Sequence, residues 1–143
     1  MSTILVALDN SPRARQVLVR AVALAKSSSE KLHVLQAVGL PPDLPPELLG
    51  LSPDVIPERL VEAARKDLEA LVAEHAPRTE AVIETRIGTP WRTICATAKE
   101  LGASTVVIGT HGHTVLDTLL GTTAARVVNH APCSVLVVRH AEA

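Results

Sequence analysis

Five short aliphatic and β-branched runs, separated by stretches with helical spacing, constrain this chain more than anything else in it. The runs are Thr3–Leu8, Lys31–Val38, Glu80–Ile87, Ser104–Ile108 and Ser134–Val138. Their length suits strands buried on both faces of a sheet. Between the first two, apolar residues fall at Ala14, Val17, Leu18, Ala21, Val22 and Ala25. That is one buried stripe of a helix. Leu60, Ala64, Leu68, Leu71 and Val72 make a similar stripe within 57–76. Ser11-Pro12 and Thr89-Pro90 each read as a capping hydroxyl followed by proline at the first helical position. The helix opened by Thr89 runs to Leu101, with Gly102 as its stop. A fourth helix is expected over 115–130, ended by Pro132. The order βαβαβαβαβ specifies an α/β domain: a doubly wound, five-stranded parallel sheet with helices on both faces and right-handed crossovers. No repeat or boundary divides residues 1–143, so one domain is expected. The proline-rich stretch 39–53 is its candidate mobile loop.

In open sheets of this kind, ligands bind beyond the carboxyl ends of the strands where strand order reverses. Strand order 3-2-1-4-5 puts that crevice between strands one and four. Order 2-1-3-4-5 puts it between strands one and three. The turn after strand four, Gly109-Thr110-His111-Gly112-His113-Thr114, is the most glycine-rich in the chain. Two glycines three apart before a helix let backbone N–H groups approach an anion closely. This favours 3-2-1-4-5, with Asp9 at the end of strand one facing the same crevice. A glycine inside a helix costs about 1 kcal/mol relative to alanine. Gly121 therefore makes more sense if the real helix begins near Thr122, whose hydroxyl and neighbouring amides would then face the crevice too.

Charge and composition exclude several classes. Net charge is −1, without the basic footprint of a nucleic-acid protein. One Trp and no Tyr or Phe leave no platform for stacking bases. A bound base must be held by aliphatic walls and backbone groups. No apolar run reaches the roughly 18 residues that cross a bilayer, and no basic leader precedes the first strand. A soluble, cytoplasmic chain is expected, with no membrane partner. Cys95 and Cys133 lack CxxC spacing and nearby ligand histidines, so both read as small core residues.

At this level of detail the chain resembles a known family. The stretch GTPWRTICATAKELGASTVVIGTHGH, followed by LLGTTAARVVNHAPCSVLVVR, is similar to the second half of universal stress proteins. ILVALDNS resembles their first strand and its aspartate. The resemblance implies a Rossmann-like fold of order 3-2-1-4-5, a homodimer through the last strand (134–138) and, in one subfamily, ATP binding, here with or without Mg2+. That subfamily carries the pattern G-x2-G-x9-G-[S/T]. Gly109 and Gly112 match its first two glycines, and Gly121 with Thr122 matches its last pair. The spacer His113–Leu120 is eight residues, one fewer than the pattern, and one residue is worth about 3 Å of backbone. Ser104 and Ser134 also depart from the family's usual aspartate and proline. By resemblance, Asp9 would hold the ribose and the backbone of Ala37 would read the adenine edge. Gly109, Gly112, Gly121, Thr122 and Thr123 would hold the phosphates, and Ala7, Thr110, His111 and His113 are the remaining residues expected at the nucleotide.

Each of these residues has a plainer reading. Asp9 can be a turn former, the loop histidines solvent-exposed groups, and Trp91 a packing or subunit contact. Arg13 and Arg126 are either solvated helix residues or phosphate partners. No P-loop lysine, GxSxG or Ser-His-Asp constellation is present, and nothing positions Asp117 as a base. Three functions stay open: an ATP-binding regulatory module in the stress response, a nucleotide-free dimeric interaction protein with unidentified partners, and a weak ATPase.

Overall fold

The computed structural model describes residues 2–39, 55–110 and 120–139. The elements are β1 (Thr3–Ala7), α1 (Ala14–Ser28), β2 (Lys31–Val38), α2 (Val55–His75), β3 (Ala81–Ile87), α3 (Pro90–Leu101), β4 (Thr105–Gly109), α4 (Thr122–His130) and β5 (Ser134–Val138). All strand pairs are parallel and the sheet order is β3-β2-β1-β4-β5. This is the Rossmann-like order favoured from the loop after strand four. The proline-rich stretch falls outside the described residues apart from Gly39.

Why β1 occupies the middle follows from its side chains. Ile4, Leu5 and Val6 have no solvent exposure. Alternation sends Ile4 and Val6 to one face and Leu5 to the other. The first face packs with Val17, Leu18, Ala21 and Val22 of α1 and with Leu68 and Val72 of α2. The second packs with Ile94 and Ala98 of α3 and with Ala124 and Val127 of α4. Burial on both sides suits its place between β2 and β4, and α1–α2 and α3–α4 form the two outer layers.

Several boundaries differ from the expectation, each for a local reason. The serine cap expected at the start of α1 is not formed. Asp9 Oδ1 accepts the Ser11 N–H at 2.9 Å, the Ser11 carbonyl accepts the Ala14 N–H at 3.1 Å, and the helix begins at Ala14. Pro12 lies in this turn, ahead of the helix. Thr89 precedes α3 in extended conformation, but its hydroxyl makes no capping bond, and Pro90 opens the helix as expected. Helix α4 starts at Thr122 with extended Gly121 as its N-cap, so the described part of 115–130 is helical only from Thr122. Gly102 ends α3 at φ 61°, the left-handed geometry expected of it. Cys95 and Cys133 are free and half-buried, packed against the α3–α4 side of the core. Burial pushes both thiols above their ordinary range.

The central position of β1 has a measurable consequence. Leu5→Ala leaves a cavity where the surrounding strands and helices cannot collapse. Urea denaturation is expected to show a loss of about 2 to 5 kcal/mol.

Candidate functional site

Beyond the carboxyl ends of β1 and β4 lies a cleft of about 280 Å³. The chain reverses direction across the sheet between these strands, since β1 leads to β2 on one side and β4 leads to β5 on the other. Their exits therefore diverge and leave a gap. Three helix entries converge on it: α1 after β1, α3 after β3 and α4.

The β1–α1 turn supplies Leu8, Asp9, Ser11, Arg13 and Ala14. Leu8 continues the ladder by donating its N–H to the Leu35 carbonyl at 2.8 Å. The turn beyond it is closed by the bond from Ser11 N–H to Asp9 Oδ1. Asp9 thus does the structural work of a turn former while lining the cleft. That bond uses its Oδ1.

On the opposite wall, the Thr110 carbonyl accepts the Gly121 N–H at 2.7 Å. This bond ties the end of β4 to the start of α4. The first backbone bond of α4 runs from Ala125 N–H to the Gly121 carbonyl at 2.9 Å. The amides of Thr122, Thr123 and Ala124 precede it and receive no side-chain cap among the described residues. All three residues line the cleft. Amides at a helix start carry partial positive charge, so this wall favours an anion.

The floor and sides are aliphatic: Ala7, Val17, Ala37, Pro90, Ile94 and Ile108. No aromatic residue is among the described residues that line it. Gly109 lies where a Cβ would come within 3.1 Å of Val17 Cγ2. Its missing side chain lets α1 sit close on β4, a packing reason for a glycine expected at a phosphate.

Ala7, Asp9, Ala37, Gly109, Thr110, Gly121, Thr122 and Thr123 thus come together in one cleft. His111, Gly112 and His113 lie outside the described residues, as does Asp117. Trp91 is not among the cleft residues. Its ring packs on His130 with centroids 4.9 Å apart, and the guanidinium of Arg126 lies 5.6 Å from it. Arg126 therefore joins the α3–α4 packing, while Arg13 lines the cleft. Sequence reasoning passed over Leu8, Ser11, Ala14, Val17, Pro90, Ile94, Ile108 and Ala124. Their signal was positional: nearly all fall just after a strand's carboxyl end or in the first turns of the next helix.

The universal stress protein family model matches residues 1–139. The chain belongs to the universal stress protein family. It is 34% identical to a universal stress protein of Synechocystis over 150 aligned positions, covering 96% of this chain and 97% of that protein. Among solved structures, it is similar to the universal stress protein UspA from Lactobacillus plantarum. That likeness has 27% identity, a TM-score of 0.75, and coverage of 96% of this chain and 97% of the other. A universal stress protein from Archaeoglobus fulgidus, solved in complex with dAMP, shares the fold at 21% identity. Its TM-score is 0.65, with 97% of this chain and 98% of the other covered. Among the described residues, no helix of this stress protein is long and apolar enough to cross a membrane.

The turn at Asp9 can be tested without any ligand. Asp9→Ala removes the acceptor for Ser11 N–H and is expected to cost about 1 kcal/mol in urea denaturation. Asp9→Asn keeps an oxygen at that position and is expected to retain most of the stability. Equal losses in both variants would show that the charge, not the hydrogen bond, holds the turn.

Proposed function

We propose that this stress protein is a regulatory module that binds an adenine nucleotide, ATP, in the β1–β4 cleft. The observation that carries this reading is the pairing of an aliphatic slot with an uncapped helix start. The slot suits a flat base that cannot be stacked, and the amides of Thr122, Thr123 and Ala124 suit phosphate. In this reading the adenine lies against Ala7 and Ala37, with the Ala37 backbone at its edge, and Asp9 Oδ2 accepts from the ribose. The amides of Gly109, Thr110, Thr122 and Thr123 take the phosphates, joined by those of His111, Gly112 and His113, while the Gly121 amide stays on the Thr110 carbonyl and Gly121 serves by leaving room at the helix start. A magnesium ion, where present, is carried in on the phosphates and offsets their charge. The relative solved with dAMP supports the choice of adenine.

Titration calorimetry with ATP and magnesium tests this. Saturable heat and a raised melting temperature are expected. Neither effect at millimolar ATP overturns the reading.

We also propose that the module is a cytoplasmic homodimer through β5. β5 is a sheet edge, pairing only with β4 among the described strands. Val135, Leu136, Val137 and Val138 bring no charge to that edge, and Arg139 comes only after it. The other edge, β3, carries Glu84 and Arg86, joined at 3.1 Å, and Arg86 reaches Glu100 at 2.8 Å. Charge blunts an edge against pairing, so β5 is the edge left able to pair. A twofold contact uses it once and closes. Light scattering at tens of micromolar is expected to give twice the chain mass, and a monomer mass overturns the dimer.

A further inference from the structure

We infer that Arg13 is the residue by which this cleft distinguishes a nucleotide's phosphate chain from its nucleoside, an inference that rests on the nucleotide reading above. Among the described residues that line the cleft, two carry ionisable side chains, Asp9 and Arg13. Both come from the β1–α1 turn. A carboxylate at that place repels a phosphate chain, and the helix-start amides of α4 contribute only partial charge. A full positive charge in the wall adds what these partial charges lack, and Arg13 is the described lining residue that carries one.

Its setting suits the task. Arg13 is the N-cap of α1, and its carbonyl accepts the N–H groups of Gln16 and Val17 at 3.1 and 3.4 Å, which fixes its backbone. The side chain is half-buried, and Nη1 is shut off from solvent. A guanidinium partly held in a wall gives up less freedom than a fully solvated one when it meets a ligand. Its planar fork matches two phosphate oxygens at once, which an ammonium cannot do. Arg126 lacks this position, because it is drawn to Trp91 between α3 and α4.

The experiment titrates adenosine, AMP and ATP with magnesium into the unaltered protein, Arg13→Gln and Arg13→Lys. The unaltered protein is expected to bind more tightly with each added phosphate. Arg13→Gln is expected to lose roughly ten- to hundredfold in ATP affinity, the worth of a charge-assisted contact, while adenosine affinity holds within about twofold. Arg13→Lys keeps the charge but not the fork, so its ATP affinity falls between the two. A ligand-free melt shows whether Arg13→Gln has loosened the entry to α1. If it has, Arg13→Lys decides alone, and must lose ATP affinity while keeping adenosine. Equal loss for adenosine and ATP, or no loss for ATP, overturns the inference while leaving the nucleotide reading in place. No binding of any of the three by the unaltered protein overturns both.

Discussion

The ladder between β1 and β4 is the contact on which the rest of this molecule depends. It pairs Ile4, Leu5 and Val6 with Thr105, Val106 and Val107, across most of the chain's length. Just below it, the Thr3 carbonyl accepts the Ser104 N–H at 2.9 Å. No local turn can make this contact, so its loop-closure entropy is recovered only by burial on both faces. Leu5 and Val106 have no solvent exposure and share one core cluster, while Val6 and Val107 share the other. Where this ladder ends, the chain on each side turns away, and the cleft is the space left over. Core and cleft are consequences of one pairing.

Because the cleft is made this way, its chemistry is borrowed from backbone more than from side chains. The Thr110 carbonyl and Gly121 N–H hold the β4 and α4 ends together. The amides that follow face the gap because a helix must leave its first N–H groups without helical partners. Amides fixed at a helix start need little reorganisation when an anion arrives.

Much of the fold was legible because strand burial writes itself plainly in sequence. Lys31–Val38 and Ser134–Val138 match β2 and β5 residue for residue. The strand order was legible from one glycine-rich turn, since only one of two orders brings that turn beside Asp9. Helix starts were less legible. Ser11-Pro12 has the letters of a cap, yet Asp9 captures the Ser11 amide and delays α1 to Ala14. An Asx turn and an N-cap compete for the same short polar residues, and sequence does not say which wins. Asp9 and the threonines and glycines of the site could be read from the chain, as could Ala7 and Ala37, but Ser11 and the larger aliphatic walls could not. Ile94 and Ile108 belong to the core cluster and line the cleft as well, so their pattern is that of any core residue.

Arg13 and Arg126 show where composition stops deciding and topology begins. Arg13 is the N-cap of α1 and Arg126 lies in the middle of α4, and nothing in the letters says which meets the cleft. The chain's single tryptophan does so in space. Trp91 enters the α3–α4 seam, packs on His130 and draws Arg126 and Arg92 to its faces, with Arg92 at 5.2 Å. Cation–π contact of this kind is worth about 0.5 to 1 kcal/mol at an exposed site, enough to bias a flexible side chain. The indole thus serves packing between two helices, and the cleft is left without an aromatic ring. A base held there gains its affinity from aliphatic burial, which is non-directional and discriminates poorly among bases. In the nucleotide reading, discrimination then comes from backbone hydrogen bonds at the base edge and from charge at the phosphates. A fold whose one aromatic residue packs between helices leaves recognition, in that proposed reading, to the backbone at Ala37 and to Arg13.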